Sequence, residues 1–344
     1  MNTFTSKLLV WYNIHQRDLP WRHSKNPYAI WLSEVILQQT RVAQGLPYYE
    51  RFLAKFPTVK DLANAKEDQV LKLWQGLGYY SRARNLHKAA KVVTNNRNGS
   101  FPTSYKELLA LPGIGPYTAS AIASICSNEP KAVVDGNVYR VLARYFDIDL
   151  PINKPDGVRY FQELAQSVMD TKIPGIYNQA IMEFGAIQCK PKQPLCHSCP
   201  LVETCKSFAN DCVSFRPQKI KANPVKSRYF HYLVPFDINH NTLLIKRNKK
   251  DIWQGLYEFP LIEADKILTE RELKSHPNLP DWATSSNWTL FQDNVMKHQL
   301  SHQTLHTHFW IIQNIENKLP VPWEKVNEYG VPRLIDRFLQ KFKR

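Results

Sequence analysis

Four cysteines fall in the pattern Cys189-x6-Cys196-x2-Cys199-x5-Cys205 on the proline-rich stretch CKPKQPLCHSCPLVETC. Such a stretch reads as loop rather than helix, so folding must bring the four thiols together. Thiolates crowded in this way suit one soft metal centre, and the spacing by itself admits either zinc or an iron–sulfur cluster. Four-cysteine zinc sites are commonly built from two CxxC knuckles, and Cys196 and Cys199 form a single one here. Cys126 stands apart, and Cys212 lies beyond the pattern and reads as a bystander. In a reducing compartment the cluster points to metal and away from disulfides.

The residues before this loop read as mostly helical. Amphipathic segments recur near 4–17, 28–43, 45–55, 59–65, 67–74, 80–95, 104–110, 116–127, 136–146, 156–169 and 175–187, punctuated by Pro and Gly. Residues 206–227 are polar, basic and without a period, which predicts a linker. Beyond it YFHYLVPFDI, TLLIKR and HTHFWIIQNI carry β-branched and aromatic residues in partial alternation, the pattern of strands. Helical stretches near 265–275 and 332–342 make this second part α+β. The expected domains are therefore 1–205, a linker at 206–227, and 228–344. With 45 Lys and Arg against 30 acids the 344-residue chain carries +15, which favours a polyanion and makes nucleic acid the first candidate partner. No apolar run is long enough to span a bilayer and the first residues lack a signal-peptide pattern, so the expectation is a cytoplasmic, nucleoid-associated monomer with no membrane partner.

Within WLSEVILQQT, helical spacing puts Glu34 on one face with Ile30, Trp31, Leu37 and Gln38. A carboxyl there loses hydration, its pKa rises, and its protonated form becomes a usable general acid. The segment SYKELLALPGIGPYTASAIASI reads as helix, tight turn, helix. Gly113 and Gly115 permit backbone conformations denied to other residues and Pro116 suits a first helical position, so the exposed amides can grip a phosphate oxygen. Farther on, Asp135 in VVDGNVYRVLAR ends an apolar run and precedes a helix, as an N-cap does.

The cysteine spacing resembles the [4Fe–4S] loop, 189–205, of endonuclease III-type DNA glycosylases, and LPGIGPYTA resembles the helix-hairpin-helix of that superfamily. With DLPWR, WLSEVILQQTRV, WQGLGYYSRARNL, VVDGNVYRVLAR and WQGLYEFP, the whole chain is similar to the adenine DNA glycosylase (MutY) family. The fold class implied is multi-domain: a mainly α helix-hairpin-helix glycosylase domain with a [4Fe–4S] cluster loop, plus an α+β Nudix-like lesion-recognition domain. The activity implied is base excision repair, hydrolysing the N-glycosidic bond of adenine mispaired with 8-oxoguanine, and also of adenine in G:A pairs, in double-stranded DNA. The resemblance implies that Glu34 protonates the leaving adenine, that Asp135 stabilises the sugar cation and that Tyr117 supports both carboxylates. Tyr117 occupies the position of the endonuclease III nucleophilic Lys, which implies a monofunctional enzyme. Gln39, Thr40 and Tyr79 match residues that wedge beside 8-oxoguanine, and Arg22 and Gln179 match the adenine pocket. Cys189, Cys196, Cys199 and Cys205 match the cluster ligands. The string from Tyr79 to Arg84 offers rings to stack on bases and cations for phosphate.

In the second domain, Leu300, Ser301 and His302 match the family's Phe-Ser-His loop that reads 8-oxoguanine, with Leu in place of Phe. A working Nudix hydrolase would need magnesium-binding acids, yet Leu261 stands six residues after Gly255 and the block at 271–276 is Arg-Glu-Leu-Lys-Ser-His, so no pyrophosphatase activity is expected. The density of His in 298–308 admits a metal site as an alternative. Two other functions compete: a glycosylase of the same superfamily with a different base preference, and a non-enzymatic iron–sulfur DNA-binding protein.

Overall fold

A computed structural model describes residues 3–220, 224–284 and 287–342. They group into two compact units, the first made of 1–64 and 85–221 and the second of 65–84 and 222–344.

The helices begin with α1 (Thr3–His15), α2 (Pro27–Leu37), α3 (Val42–Lys55), α4 (Val59–Asn64), α5 (Glu67–Leu73) and α6 (Ser81–Arg97). They continue with α7 (Tyr105–Leu109), α8 (Pro116–Ser127), α9 (Gly136–Phe146), α10 (Pro155–Val168), α11 (Pro174–Glu183) and α12 (Lys206–Ala209). Local chemistry sets many of their starts. Asn26 accepts from the Tyr28 amide ahead of Pro27, and Ser104 caps α7 through the Glu107 amide. In the first unit Phe4, Leu8, Trp11 and Tyr12 of α1 meet Val138, Val141 and Leu142 of α9 and Tyr177, Ala180 and Ile181 of α11 in one apolar core. The helix α2 is buried on almost every side, from Tyr28 to Ser33 and again at Val35 and Ile36. Such a helix has no polar face to which an acid can turn.

Two boundaries depart from the periodicity. The segment 28–43 does not stay helical: α2 ends at Leu37, Gln39 takes a left-handed φ of 56°, and α3 opens at Val42. Gln39 and Thr40 therefore sit on a turn and not on the helix that carries Glu34. Residues 206–220 of the stretch read as a linker pack against the first unit. They hold α12, the Ile152 amide bonds Gln218 O at 3.0 Å, and Asn153 exchanges two hydrogen bonds with Ile220.

The second unit is built on a sheet. Its strands are β1 (Lys226–Asp237), β2 (Asn241–Thr242), β3 (Ile245–Lys246), β4 (Tyr257–Glu258), β5 (Leu261–Ala264), β6 (Asn287–Leu290), β7 (Met296–Gln299), β8 (Gln303–Ile315) and β9 (Val321–Pro322). The main order is β5-β1-β8-β6 with β7 also on β8; β1 and β8 pair in parallel, Lys226 opposite Gln303 and Leu233 opposite Trp310. Helix α13 (Glu270–Lys274) contributes Leu273 to the apolar cluster of Leu233, Ile262, Leu268, Trp310 and Ile312. Helix α14 (Arg333–Lys341) stacks Phe338 on Phe309, ring centroids 4.2 Å apart. Because side chains alternate along a strand, Phe309 and Trp310 serve opposite faces.

The segment 65–84 packs within this second unit. Asp68 meets Lys246 at 2.5 Å and Tyr257 at 3.1 Å, Lys72 donates to Tyr329 O at 3.0 Å, Gln75 donates to Asp336 at 3.3 Å, and Arg84 donates to Gln254 O at 2.6 Å. Gly255, at φ 86°, lets its loop approach α5: a Cβ there would stand 2.9 Å from Leu71 Cδ1.

Candidate active site

Glu34 lies on α2 with its carboxylate accepting a hydrogen bond from the Tyr117 hydroxyl at 2.8 Å. Tyr117 is the second residue of α8, fixed in place by the hairpin turn and by Pro116 at the helix start. Its hydroxyl also stands 3.2 Å from Met182 Sδ on α11. Burial pushes the Glu34 carboxyl up to about 7; the Tyr117 bond and the nearby Arg22 oppose that rise, while the charge of Asp135 adds to it. Burial also holds the Tyr117 phenol well above its usual range, with the Glu34 charge beside it, so the phenol keeps its proton.

Asp135 caps α9. Its Oδ1 accepts the amides of Asn137 at 2.9 Å and Val138 at 2.8 Å, and its Oδ2 accepts from Asn137 Nδ2 at 2.7 Å. Burial raises its pKa, opposed by those three donors and by Arg140. Those three hydrogen bonds favour the ionised form, against the burial that disfavours it. The two acids thus live in unlike settings: one faces a single phenol in an apolar helix, the other is wrapped by amides. Such a divergence separates a proton donor from a fixed anion.

Sequence reasoning missed what holds Asp135. Arg140 donates to Asn137 Oδ1 at 2.9 Å, to Gly185 O at 2.6 Å and to Cys189 O at 2.7 Å, so a hydrogen-bonded chain runs from the cysteine loop through Arg140 and Asn137 to Asp135. The signal was in VVDGNVYR, where Asn and Arg follow the Asp by two and five residues. A helical reading places Asn137 and Arg140 one turn apart, but the Gly185 and Cys189 carbonyls that hold Arg140 are distant in sequence.

Arg22 stands near Glu34, and both it and Gln179 take part in hydrogen bonds of their own. Arg22 donates to Glu183 at 2.8 Å and to Arg17 O at 2.7 Å, and Gln179 accepts from the Tyr12 hydroxyl at 2.9 Å. Although burial opposes ionisation of Glu183, its bonds from Arg17 and Arg22 hold it down to about 2. Arg22 is therefore anchored before any ligand arrives.

The two hairpin glycines do different work. Gly113 has φ 76° and a Cβ there would sit 2.5 Å from Asn85 Cβ, so only glycine fits. Gly115 has an ordinary φ of −94° and open space around it. A small residue at that point leaves the amides at the start of α8 open to a phosphate.

Cys189, Cys196, Cys199 and Cys205 all line one cavity, together with apolar side chains such as Val141, Leu201 and Phe208. None is in a disulfide. Burial raises the thiols of Cys196, Cys199 and Cys205, Cys199 to about 11, so these three suit a group whose positive charge draws them to thiolate. Arg144 fastens the loop, donating to Lys190 O at 2.7 Å, Pro191 O at 3.2 Å and Val213 O at 3.0 Å. Among the described residues no three His, Cys, Asp or Glu side chains stand close enough to hold a single metal ion, the histidines of 298–308 included. Four thiols lining one cavity are a donor set of the kind a soft metal centre takes.

In the second unit Tyr79 is half exposed, and its hydroxyl meets that of Ser301. Ser301 and His302 are exposed on the turn into β8, where Leu300 N bonds Gln303 O at 2.8 Å. Arg82 and Arg84, read from the sequence as phosphate contacts, instead bond backbone carbonyls of Leu77, Gly78 and Gln254. The acids of the NUDIX-like region are engaged by arginines: Glu258 by Arg247 at 2.7 Å, Asp251 and Glu263 by Arg228 at 2.8 Å and 2.6 Å.

Residues 32–167 match the HhH-GPD superfamily base excision DNA repair protein family, and residues 231–341 match a NUDIX domain. Over 360 residues the chain is 34% identical to the adenine DNA glycosylase of Buchnera aphidicola subsp. Baizongia pistaciae, covering 99% of this chain and 97% of that one. The chain belongs to the adenine DNA glycosylase family. Among solved structures a thermostable thymine-DNA glycosylase aligns with a TM-score of 0.56 and 31% identity, over 60% of this chain and 95% of its own. A non-covalent endonuclease III–DNA complex aligns with a TM-score of 0.53 and 23% identity, over 60% and 94%, and shares the fold. Among the described residues no helix is long and apolar enough to cross a membrane.

Proposed function

We propose that this protein is a monofunctional adenine DNA glycosylase that excises adenine paired with 8-oxoguanine, and with guanine, from double-stranded DNA. The observation that carries this reading is the Glu34 carboxyl at about 7, bonded to Tyr117 and facing the charge of Asp135. Adenine is a poor leaving group until a ring nitrogen is protonated, and an acid that keeps its proton near neutrality can supply it. The flipped base takes that proton from Glu34 and leaves with both electrons of the glycosidic bond. Asp135 stabilises the resulting oxocarbenium-like sugar as an anion. Water adds to the sugar and returns a proton to the Glu34 carboxylate. With a phenol at 117 in place of an amine, no Schiff base forms and the strand stays intact.

Extruding a base costs a few kcal/mol, and Gln39 and Thr40 on their turn, with Tyr79, serve as the wedge that fills the gap. Ser301 and His302 read the opposite 8-oxoguanine, and Gly113 and Gly115 shape a grip on backbone phosphate. Cys189, Cys196, Cys199 and Cys205 would hold a [4Fe–4S] cluster, which would cross-link their loop.

The test is a gel assay on duplexes that differ only in one pair: 8-oxoguanine:A, G:A, G:T and 8-oxoguanine:C. Alkali-revealed cleavage at adenine, strongest opposite 8-oxoguanine, is expected. Excision of thymine in place of adenine, or DNA binding with no excision at all, would remove this reading. Glu34→Gln is expected to bind the 8-oxoguanine:A duplex while releasing no adenine.

A further inference from the structure

The segment Trp74–Arg82 folds into an unusually left-handed turn. Gly76 has φ 100°, Gly78 has 74°, and Tyr79 has 47° although it carries a side chain. A tyrosine in that region of backbone space is strained and persists only where its surroundings hold it. Two side chains do the holding. Trp74, fully buried, donates its indole N–H to Gly78 O at 3.0 Å. Arg82 donates Nη2 to Leu77 O at 3.4 Å and Gly78 O at 3.3 Å, while its guanidinium lies 5.1 Å from the Trp74 ring centroid and 5.7 Å from that of Tyr79. The cation thus rests against one buried ring and one half-exposed ring and ties down the carbonyls of the turn between them. The hydroxyl of the outer ring reaches Ser301.

We infer that Arg82 is a positioning residue for choice of the opposite base: by gripping the Leu77 and Gly78 carbonyls and stacking on Tyr79, it presents that ring in one orientation toward the lesion-bearing strand. This rests on the proposed role of Tyr79 and Ser301 at 8-oxoguanine. Burial lowers the Arg82 pKa to about 10, which leaves the cation charged at neutral pH. A guanidinium can bond carbonyls in its plane and stack through its face at once; an ammonium cannot. A contact with DNA phosphate would instead affect every duplex alike.

The experiment measures single-turnover adenine excision from 8-oxoguanine:A and G:A duplexes and takes the ratio of the two rates. Arg82→Gln is expected to lower that ratio about tenfold, the scale of a lost cation–π stack with its orienting hydrogen bonds. Arg82→Lys, which keeps the charge and most of the stem, is expected to lower it as well, by about threefold or more. In a Tyr79→Leu background, adding Arg82→Gln should change the ratio less than about twofold, because the ring it positions is gone. An unchanged ratio in both Arg82 variants overturns the inference, as does a full additional drop in the Tyr79→Leu background. An unsubstituted protein that shows no preference for 8-oxoguanine:A would instead overturn the functional reading beneath it. Thermal melts of each variant identify any that fail to fold, and Arg82→Lys then carries the test.

Discussion

At the scale of single residues, Glu34 and Tyr117 are best treated as one unit. The acid form of Glu34 is the active one, so excision should run fully below pH about 7 and fall as the carboxyl loses its proton above it. The Tyr117 bond opposes the effect of burial, so Tyr117→Phe should move the falling limb to higher pH even where it slows the reaction. A pH–rate profile under single-turnover conditions checks this, and an unmoved limb would contradict it. Folding raises this acid from an ordinary 4.5, so stability is present below that value and declines as pH rises toward about 7. Glu34→Gln should accordingly raise the melting temperature at neutral pH while abolishing turnover, a trade seen where a strained acid serves chemistry. WLSEVILQQT announced an acid on an apolar face. Its partner, 83 residues away on another helix, was beyond any reading of local spacing.

At the scale of elements, capping and chemistry meet at the start of α9. Asn caps a helix about as well as Asp, so Asp135→Asn should keep stability to within about 2 kcal/mol while excision falls by orders of magnitude. Melting curves beside rate measurements separate the two roles; a proportionate loss of both would reduce Asp135 to a cap. In the sheet, His231 and His308 stand opposite each other on β1 and β8, buried, with ring centroids 5.9 Å apart. Burial pulls His231 down to about 4, aided by the neighbouring His308 and His276 and opposed by the Lys266 backbone and Glu272. A base depressed on folding gives full stability above its unfolded value of about 6.5 and loses it as pH falls toward about 4, here by up to about 3 kcal/mol. His231→Leu should flatten the dependence of the melting temperature on pH across that window. The register that pairs these histidines comes from a parallel pairing between strands separated by the rest of the unit, so alternation along either strand could not reveal it.

At the scale of the whole chain, the second unit claims a piece of the N-terminal half. Residues 222–344 expressed alone would lack Asp68, Lys72, Gln75 and Arg84, leaving Lys246 and the Gly255 loop without their partners. That fragment should melt lower than the same fragment mixed with a synthetic 65–84 peptide, and calorimetry should detect their binding; no binding would place the segment's stability elsewhere. The sequence by itself determined most of the helices, the strands β1 and β8, the loss of Nudix acids, the hairpin and the cysteine loop. Those features are written in local periodicity, in Gly and Pro positions and in short spacings, which act between residues near in sequence. Only the tertiary structure decided that Gln39 and Thr40 leave the Glu34 helix, that residues 206–220 pack instead of linking, that 65–84 joins the sheet unit, and that Arg82 turns inward to hold Tyr79. Each of these depends on which buried surface or carbonyl a long-range partner offers, and the free energy of such burial is not encoded at any one position in the chain.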